Sequence, residues 1–448
     1  MSSDTANFAT ERLRTIYVGR LRDLVFSFQN GVFLFAVLAM NYTLMRPSPV
    51  DLLFLLTFLV SVSLIMLDDR RRVTARSLVF LVVVGIWVLS FLMASLPHYQ
   101  EDNVVFELIS KLFAVTIGVV CAFVPLYWTR KHFETFMKFY IASSVIGAIL
   151  GTIGFLLQHP MLTWDGRAKG FIDDPNMYGT FLIPGMMFCA YFLYNSRRYR
   201  LLLLGSLALI LLGVLLSFSR IAVVAAVVCL FAYLVMRERK RPQRLILGIS
   251  VLVLAGTVLM VFASLTSSEF TEKLLDRLTF AKSYDLGEQG RYNRYLLVLP
   301  MIMENPLGLG VLQLDKIFPE PIHNIWLSSF VNYGWGGGFS WILLVSGSVI
   351  ISVLNYRRTR SDIPIVLLLS LIGPILGASL HEGEHWRQMW MHFGLIWGLD
   401  PSILNRGFPS GEGVKRPPNV KIRQAGLPTQ AVRPIAATQK TRPQATVR

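Results

Sequence analysis

Apolar runs close to twenty residues long recur from one end of this chain to the other; "LLFLLTFLVSVSLIML" (52–67) and "LLLLGSLALILLGVLLSF" (201–218) are two of them. A helix of such a run crosses a hydrocarbon core of about 30 Å. Lipid offers the backbone no water to bond, so an uninterrupted apolar span must satisfy its own N–H and C=O groups as a helix. The 448 residues are 54% hydrophobic and only 16% charged, which removes the alternative of two or three soluble domains. The expected fold is all-α: a polytopic membrane protein of about twelve transmembrane helices with one large extracytoplasmic helical loop.

The expected spans lie near 24–45, 50–67, 77–96, 104–127, 136–157, 175–194, 201–217, 219–236, 245–263, 335–354, 363–380 and 386–399. This gives a cytoplasmic N-terminus (1–23), a first block of nine spans (24–263), the large external loop (264–334), three more spans (335–399) and a tail (400–448) rich in Pro, Arg, Lys, Gln and Thr, expected to be a disordered cytoplasmic extension. The net charge of +16 is not that of a nucleic-acid binder. Its basic residues cluster in the hairpins "DDRRRVTAR", "TRKH", "NSRRYR", "RERKRPQR" and "NYRRTRS", which all fall on one side when both termini are cytoplasmic. No cleavable signal peptide is evident; the first span follows a polar, basic start. Cys121, Cys189 and Cys229 all sit in apolar runs and read as packing residues.

The loop 264–334 is too long to be a plain turn. "SSEFTEKLLDRLTF" reads as an amphipathic helix with Phe270, Leu274, Leu275 and Leu278 on one face; "GRYNRYLLVLPMIMENPLGLG" is a second helix stopped at Asn305-Pro306; "HNIWLSSFVNYG" is a third, ending at Gly334 before a glycine-rich span. Charged residues on this side stand out, because the charge rule disfavours them there. They are Arg220 in the tight turn "SFSR", Arg291 and Arg294 three apart on one helix face, His323, and Arg167 with Lys169 in "WDGRAKGF". Several guanidinium forks in one place suit phosphate oxygens, such as a diphosphate at the membrane surface. The plainer reading has each arginine snorkelling or paired with Glu269, Glu272, Asp276 or Glu288, although the turn of Arg220 contains no carboxylate. For His323 the plainer reading is an interfacial helix cap beside Asn324, Trp326 and Ser328.

Four segments, in order, resemble motifs of the O-antigen ligase and polymerase superfamily: "FIDDPNMYGTFLIPG" with Asn176, the serine–arginine turn "SFSRIAVVAAVVCLF", the arginine helix "GRYNRYLLVLPMIMENPLGLG" with its Pro-Leu-Gly-x-Gly turn, and the histidine–asparagine helix "HNIWLSSFVNYGWGGG". The resemblance implies a bacterial inner-membrane enzyme of surface polysaccharide assembly, O-antigen or exopolysaccharide. It would move glycan from undecaprenyl diphosphate to an acceptor hydroxyl: lipid A core in a ligase, another carrier-linked unit in a polymerase. Other polysaccharide-assembly proteins would be its neighbours. It further implies catalytic roles for Arg220, Arg291 and His323, with Arg294, Asn324, Arg167, Lys169 and Asn176 binding substrate. No cofactor is expected, and no Asp-x-Asp motif points to metal-dependent nucleotide-sugar chemistry.

Two other classes compete. "HEGEH" (381–385) matches the zinc-protease pattern, with His381 and His385 as ligands, Glu382 as base and His392 as a third ligand. Gly383 weakens the helix that pattern requires; the plainer reading is a polar turn, with Trp386 and Trp390 as interface anchors or sugar-stacking platforms. A polysaccharide transporter or flippase would explain spans and cations without a reaction, but the single large loop and the lack of convincing repeats weigh against it.

Overall fold

The computed structural model describes residues 2–45, 47–67, 73–266, 290–318 and 321–405. The expected amphipathic helix at 267–280, the carboxylates Glu269, Glu272, Asp276 and Glu288, and the tail from 406 lie outside them. The described chain is helical apart from one two-stranded hairpin. The helices are α1 (Ser2–Ala39), α2 (Pro49–Leu67), α3 (Ala75–Ser95), α4 (Val104–Phe123), α5 (Arg130–Leu157), α6 (Pro175–Asn195), α7 (Arg200–Leu216), α8 (Arg220–Glu238), α9 (Pro242–Thr266), α10 (Arg291–Glu304), α11 (Ile325–Thr359), α12 (Ile363–Ala378), α13 (Arg387–Gly398) and α14 (Pro401–Asn405). The hairpin, β1 (Thr163–Trp164) and β2 (Arg167–Ala168), joins α5 to α6.

Each expected span falls on a helix, but only eight described helices are long and apolar enough to cross a membrane, against about twelve expected. The apolar α7 and α12 have 17 and 16 residues. The 12-residue α13 is buried along its whole length, so it need not match lipid thickness. The first helix starts at Ser2 and stops at Ala39, earlier at both ends than the span expected at 24–45.

At the centre stands α6, buried at Pro175 and from Met177 to Phe192. Its sequence is apolar or small all round, the pattern of a helix with no solvent face; it packs on α5, α7, α8 and α12. The longest helix pairing runs between α3 and α11, and α13 lies along α4. Consecutive spans alternate in direction. The basic hairpins at 129–132, 195–200, 237–244 and 355–361 therefore share one end of the bundle, and the starts of α6, α8, α11 and α13 share the other.

At that second end, residues 290–334 build a small cap with its own core. Val298 and Ile302 of α10 pack with Leu314, Phe318, Ile322 and Val331. Glu101, between α3 and α4, fastens the cap by accepting from Gln313 Nε2 (2.8 Å) and Lys316 Nζ (2.6 Å); these hydrogen bonds hold its carboxyl down at about 2. The expected helix break at Gly334 is present: φ is +68° there, and α11 is two helical pieces joined at this residue. Glycine is required for reach as well as for φ. The turn after α10 lies against this backbone, with Trp335 N–H donating to Pro306 O (2.9 Å) and Gly310 N–H to Asn332 O (2.9 Å). A Cβ on Gly334 or Gly308 would collide with the facing main chain.

Candidate active site

The hairpin before α6 turns through Asp165 and Gly166, both at positive φ (53° and 60°), the Asp-Gly chemistry of a two-residue turn. This aims Arg167 at two places. Its Nε donates to Ser217 O (2.9 Å) and its terminal nitrogen to Asn176 Oδ1 (2.9 Å). Ser217 belongs to the tight turn in which Phe218 takes φ +47° and Ser219 caps α8 by accepting from Ala222 N–H (3.3 Å). Arg220 is thereby the first residue of α8, half-buried. One guanidinium thus ties the serine–arginine turn to the asparagine of α6, 50 and 9 residues away in sequence.

The network continues through Asp174. Its Oδ1 caps α6 by accepting from the N–H groups of Asn176 (2.6 Å) and Met177 (3.1 Å). The same oxygen faces His381 Nε2 at 3.5 Å. The other ring nitrogen of His381 accepts from Glu382 N–H (2.8 Å), which assigns the proton to Nε2, toward the carboxylate. His381 in turn stands against His323, with ring centroids 5.0 Å apart and planes at 56°.

His323 sits just before α11 at φ +53°. Two bonds from α10 hold this left-handed residue in place: Arg294 donates to Pro321 O (2.9 Å) and Tyr295 OH to His323 O (3.3 Å). Asn324 caps α11, its Oδ1 accepting from Trp326 and Leu327 N–H (3.0 and 3.1 Å). Trp326 reaches the end of α12 by donating to Ser379 Oγ (2.9 Å). Lys169 lies beside Asp173 and Asp174; burial pushes its ammonium down while those carboxylates act the other way. Arg291 opens α10.

The structure therefore joins Arg167, Asn176, the turn leading to Arg220, and His323 through Asp174 and His381. Asn324 and Arg294 shape the backbone around His323; Arg294 is 1% exposed. Sequence reasoning missed Asp174 and weighed His381 as a zinc ligand or as part of a polar turn, not as a neighbour of His323. The "DDPN" step before an apolar run is a helix-start pattern that marks Asp174 as a cap. Nothing local marks the contact between His381 and His323, 58 residues apart.

The zinc-protease pattern loses its geometry. Residues 379–386 form a turn rather than a helix, so His381 and His385 do not share a helical face. His392 is buried in α13, bonded to Gln388 O (2.6 Å) and stacked on Phe188. Among the described residues no group of three or more His, Cys, Asp or Glu is disposed to hold a metal ion. Trp386 and Trp390, expected at an interface, are core residues at 1% and 0% exposure, and Trp390 Nε1 braces the turn by donating to Glu384 O (2.7 Å). Behind that turn lies a polar cavity of about 260 Å³ whose walls include Glu107, Lys111, Asp315, Tyr333, Glu382 and Glu384. Glu384 accepts from Ser328 Oγ in the first turn of α11. Burial beside Glu384 pushes the Glu382 carboxyl up to about 8.

These features define a multi-pass membrane protein with a cationic, histidine-bearing site under a helical cap. Residues 204–342, from α7 into the second piece of α11, match the family described as O-Antigen ligase. Over that segment the chain is similar to the O-antigen ligase and polymerase superfamily. The matched segment contains Arg220, Arg291, Arg294, His323 and Asn324, whereas Arg167, Lys169, Asn176 and His381 lie outside it. A comparison with curated proteins returns no match.

Proposed function

We propose that this protein transfers glycan from undecaprenyl diphosphate to an acceptor hydroxyl at the outer face of the inner membrane, without nucleotide or metal. The observation that carries the reading is the continuous polar network from the serine–arginine turn through Arg167, Asn176, Asp174 and His381 to His323, at the end of the bundle opposite the basic hairpins. In the reaction the bond between the sugar C1 and the diphosphate oxygen breaks, a bond from C1 to the acceptor oxygen forms, and the hydroxyl proton leaves. Charge grows on the diphosphate as it departs. Arg220 and Arg291 stabilise that charge, with Arg167 and Lys169 adding to the field. His323 takes the proton, imidazole being the side chain best suited to act as a base at neutral pH. Arg294 and Asn324 fix the backbone that presents it, and Asn176 orients Arg167. The donor's lipid stays in the bilayer while the acceptor sugar stays in water, which is why such a site belongs at the mouth of a span.

The test is a reconstituted assay with lipid-linked repeat units, offering lipid A core and a second lipid-linked unit as acceptors. Glycan on lipid A core identifies a ligase; lengthened lipid-linked chains identify a polymerase. Arg220→Ala, Arg291→Ala and His323→Ala are each expected to lower transfer by at least about a hundredfold in folded, inserted protein. Arg220→Lys is expected to be nearly as poor, since one ammonium does not reproduce the guanidinium fork. Wild-type rates from all three alanine variants would overturn the assignment.

A further inference from the structure

A second cavity, of about 640 Å³, opens at the basic end of the bundle between the start of α5, the end of α6 and the start of α7. It is built for an amphiphile. Ile141, Ala142 and Val145 of α5 face Leu202 and Leu203 of α7 along an apolar wall, and Arg130, Lys138 and Arg198 stand around its polar part. The charge of Arg130 is answered locally: its Nε donates to Glu134 Oε1 (3.0 Å), which also accepts from Tyr191 OH (3.2 Å). Lys138 and Arg198 are different. Both are exposed, and among the described residues no carboxylate pairs with either. Their cations lie over aromatic rings instead, Lys138 Nζ 5.6 Å from the Phe192 centroid and Arg198 Cζ 4.6 Å from that of Tyr199.

Depth decides what meets them. With 28 residues, α5 is about 42 Å long and exceeds a hydrocarbon core of about 30 Å. The excess of about 12 Å equals the stretch from Arg130 to Lys138, which therefore stands at headgroup level, and Ile141 and Val145 point the cavity toward the acyl region. A cation at that boundary is costly unless an anion comes to it, and basic pockets between helices at this face suit lipid phosphates.

We propose that this cavity binds an anionic glycerophospholipid, its phosphate bridging Lys138 and Arg198 and its acyl chains lying along Ile141, Val145, Leu202 and Leu203. The site is far from the catalytic end and does not depend on the reaction proposed there. Its ligand would be a constant companion of the fold.

The experiment is native mass spectrometry of the full chain in mild detergent, with phosphatidylglycerol or phosphatidylethanolamine of matched acyl chains added. Wild type is expected to retain one phosphatidylglycerol and to prefer it over phosphatidylethanolamine. Lys138→Glu with Arg198→Glu is expected to weaken retention by roughly thirtyfold. Lys138→Gln with Arg198→Gln should weaken it by less, and serves as the reading if the glutamate pair fails to fold. Arg239→Glu with Lys240→Glu, the same charge change outside the cavity, should leave retention as in wild type. Equal retention of the two lipids, retention unchanged in both cavity pairs, or equal loss in the control pair would overturn the proposal.

Discussion

Asp174 performs two tasks with one oxygen, and substitution can separate them. Asparagine caps a helix about as well as aspartate, so Asp174→Asn should keep α6 in place while removing the charge that faces His381. We expect transfer to fall about tenfold, the size of a charge-assisted hydrogen bond, with the thermal unfolding midpoint unchanged. Asp174→Ala should add the loss of the cap, about 1 kcal/mol of stability. Glu382 is a second residue whose chemistry differs from its composition. Burial beside Glu384 raises its carboxyl from an ordinary 4.5 to about 8, so the folded protein holds a proton that the unfolded chain releases. The stability this contributes is complete below pH 4.5, declines as pH rises through the window from 4.5 to 8, and is gone above it. Thermal melts across that range should show the decline in wild type and not in Glu382→Gln; parallel curves would remove Glu382 from the account.

Among the contacts between elements, Arg387 carries a heavy share. It opens α13 and grips Asp51 at the start of α2 with two bonds of 2.6 Å, both side chains buried. Asp51 also accepts from Ser48 N–H (2.8 Å). Removing one partner strands a buried charge, so Arg387→Ala should cost about 3–5 kcal/mol. Pairing Arg387→Met with Asp51→Leu should recover most of that, measured by thermal unfolding in detergent. The positions of most helices were legible in the sequence, because hydropathy speaks locally: each expected run falls on a helix, although only eight described helices are long and apolar enough to cross a membrane, and the break at Gly334 was announced by the glycines around it. Arg167, Asn176, Arg220 and His323 could be singled out as candidates, since each stands in a recognisable pattern. What could not be read was anything depending on which helix ends meet. The partnership of Asp51 with Arg387 spans 336 residues, and His381 meets Asp174 only because α12 packs on α6. The number of crossing helices escaped as well, because a buried helix such as α13, with 12 residues, answers to its protein neighbours and not to lipid thickness.

For the molecule as a whole, the separation of basic hairpins from the capped end sets a direction in the membrane. We expect both termini in the cytoplasm and the hairpin at 163–168 outside. The three native thiols are buried, which gives a quiet background for labelling. An impermeant thiol reagent on intact cells should modify Trp164→Cys, at a side chain 57% exposed, and spare Arg360→Cys in the loop between α11 and α12; the reverse pattern would invert the topology. The scattered origin of the capped end also bears on how the protein is made. Its polar network draws on residues 165–176, then 217–220, then 321–324, and closes only with His381, in the turn before α13. During synthesis, then, membrane insertion and competence are separate events. A nascent chain released before residue 381 can already hold most of its spans, with Arg220 and His323 in place, yet have nothing to join them.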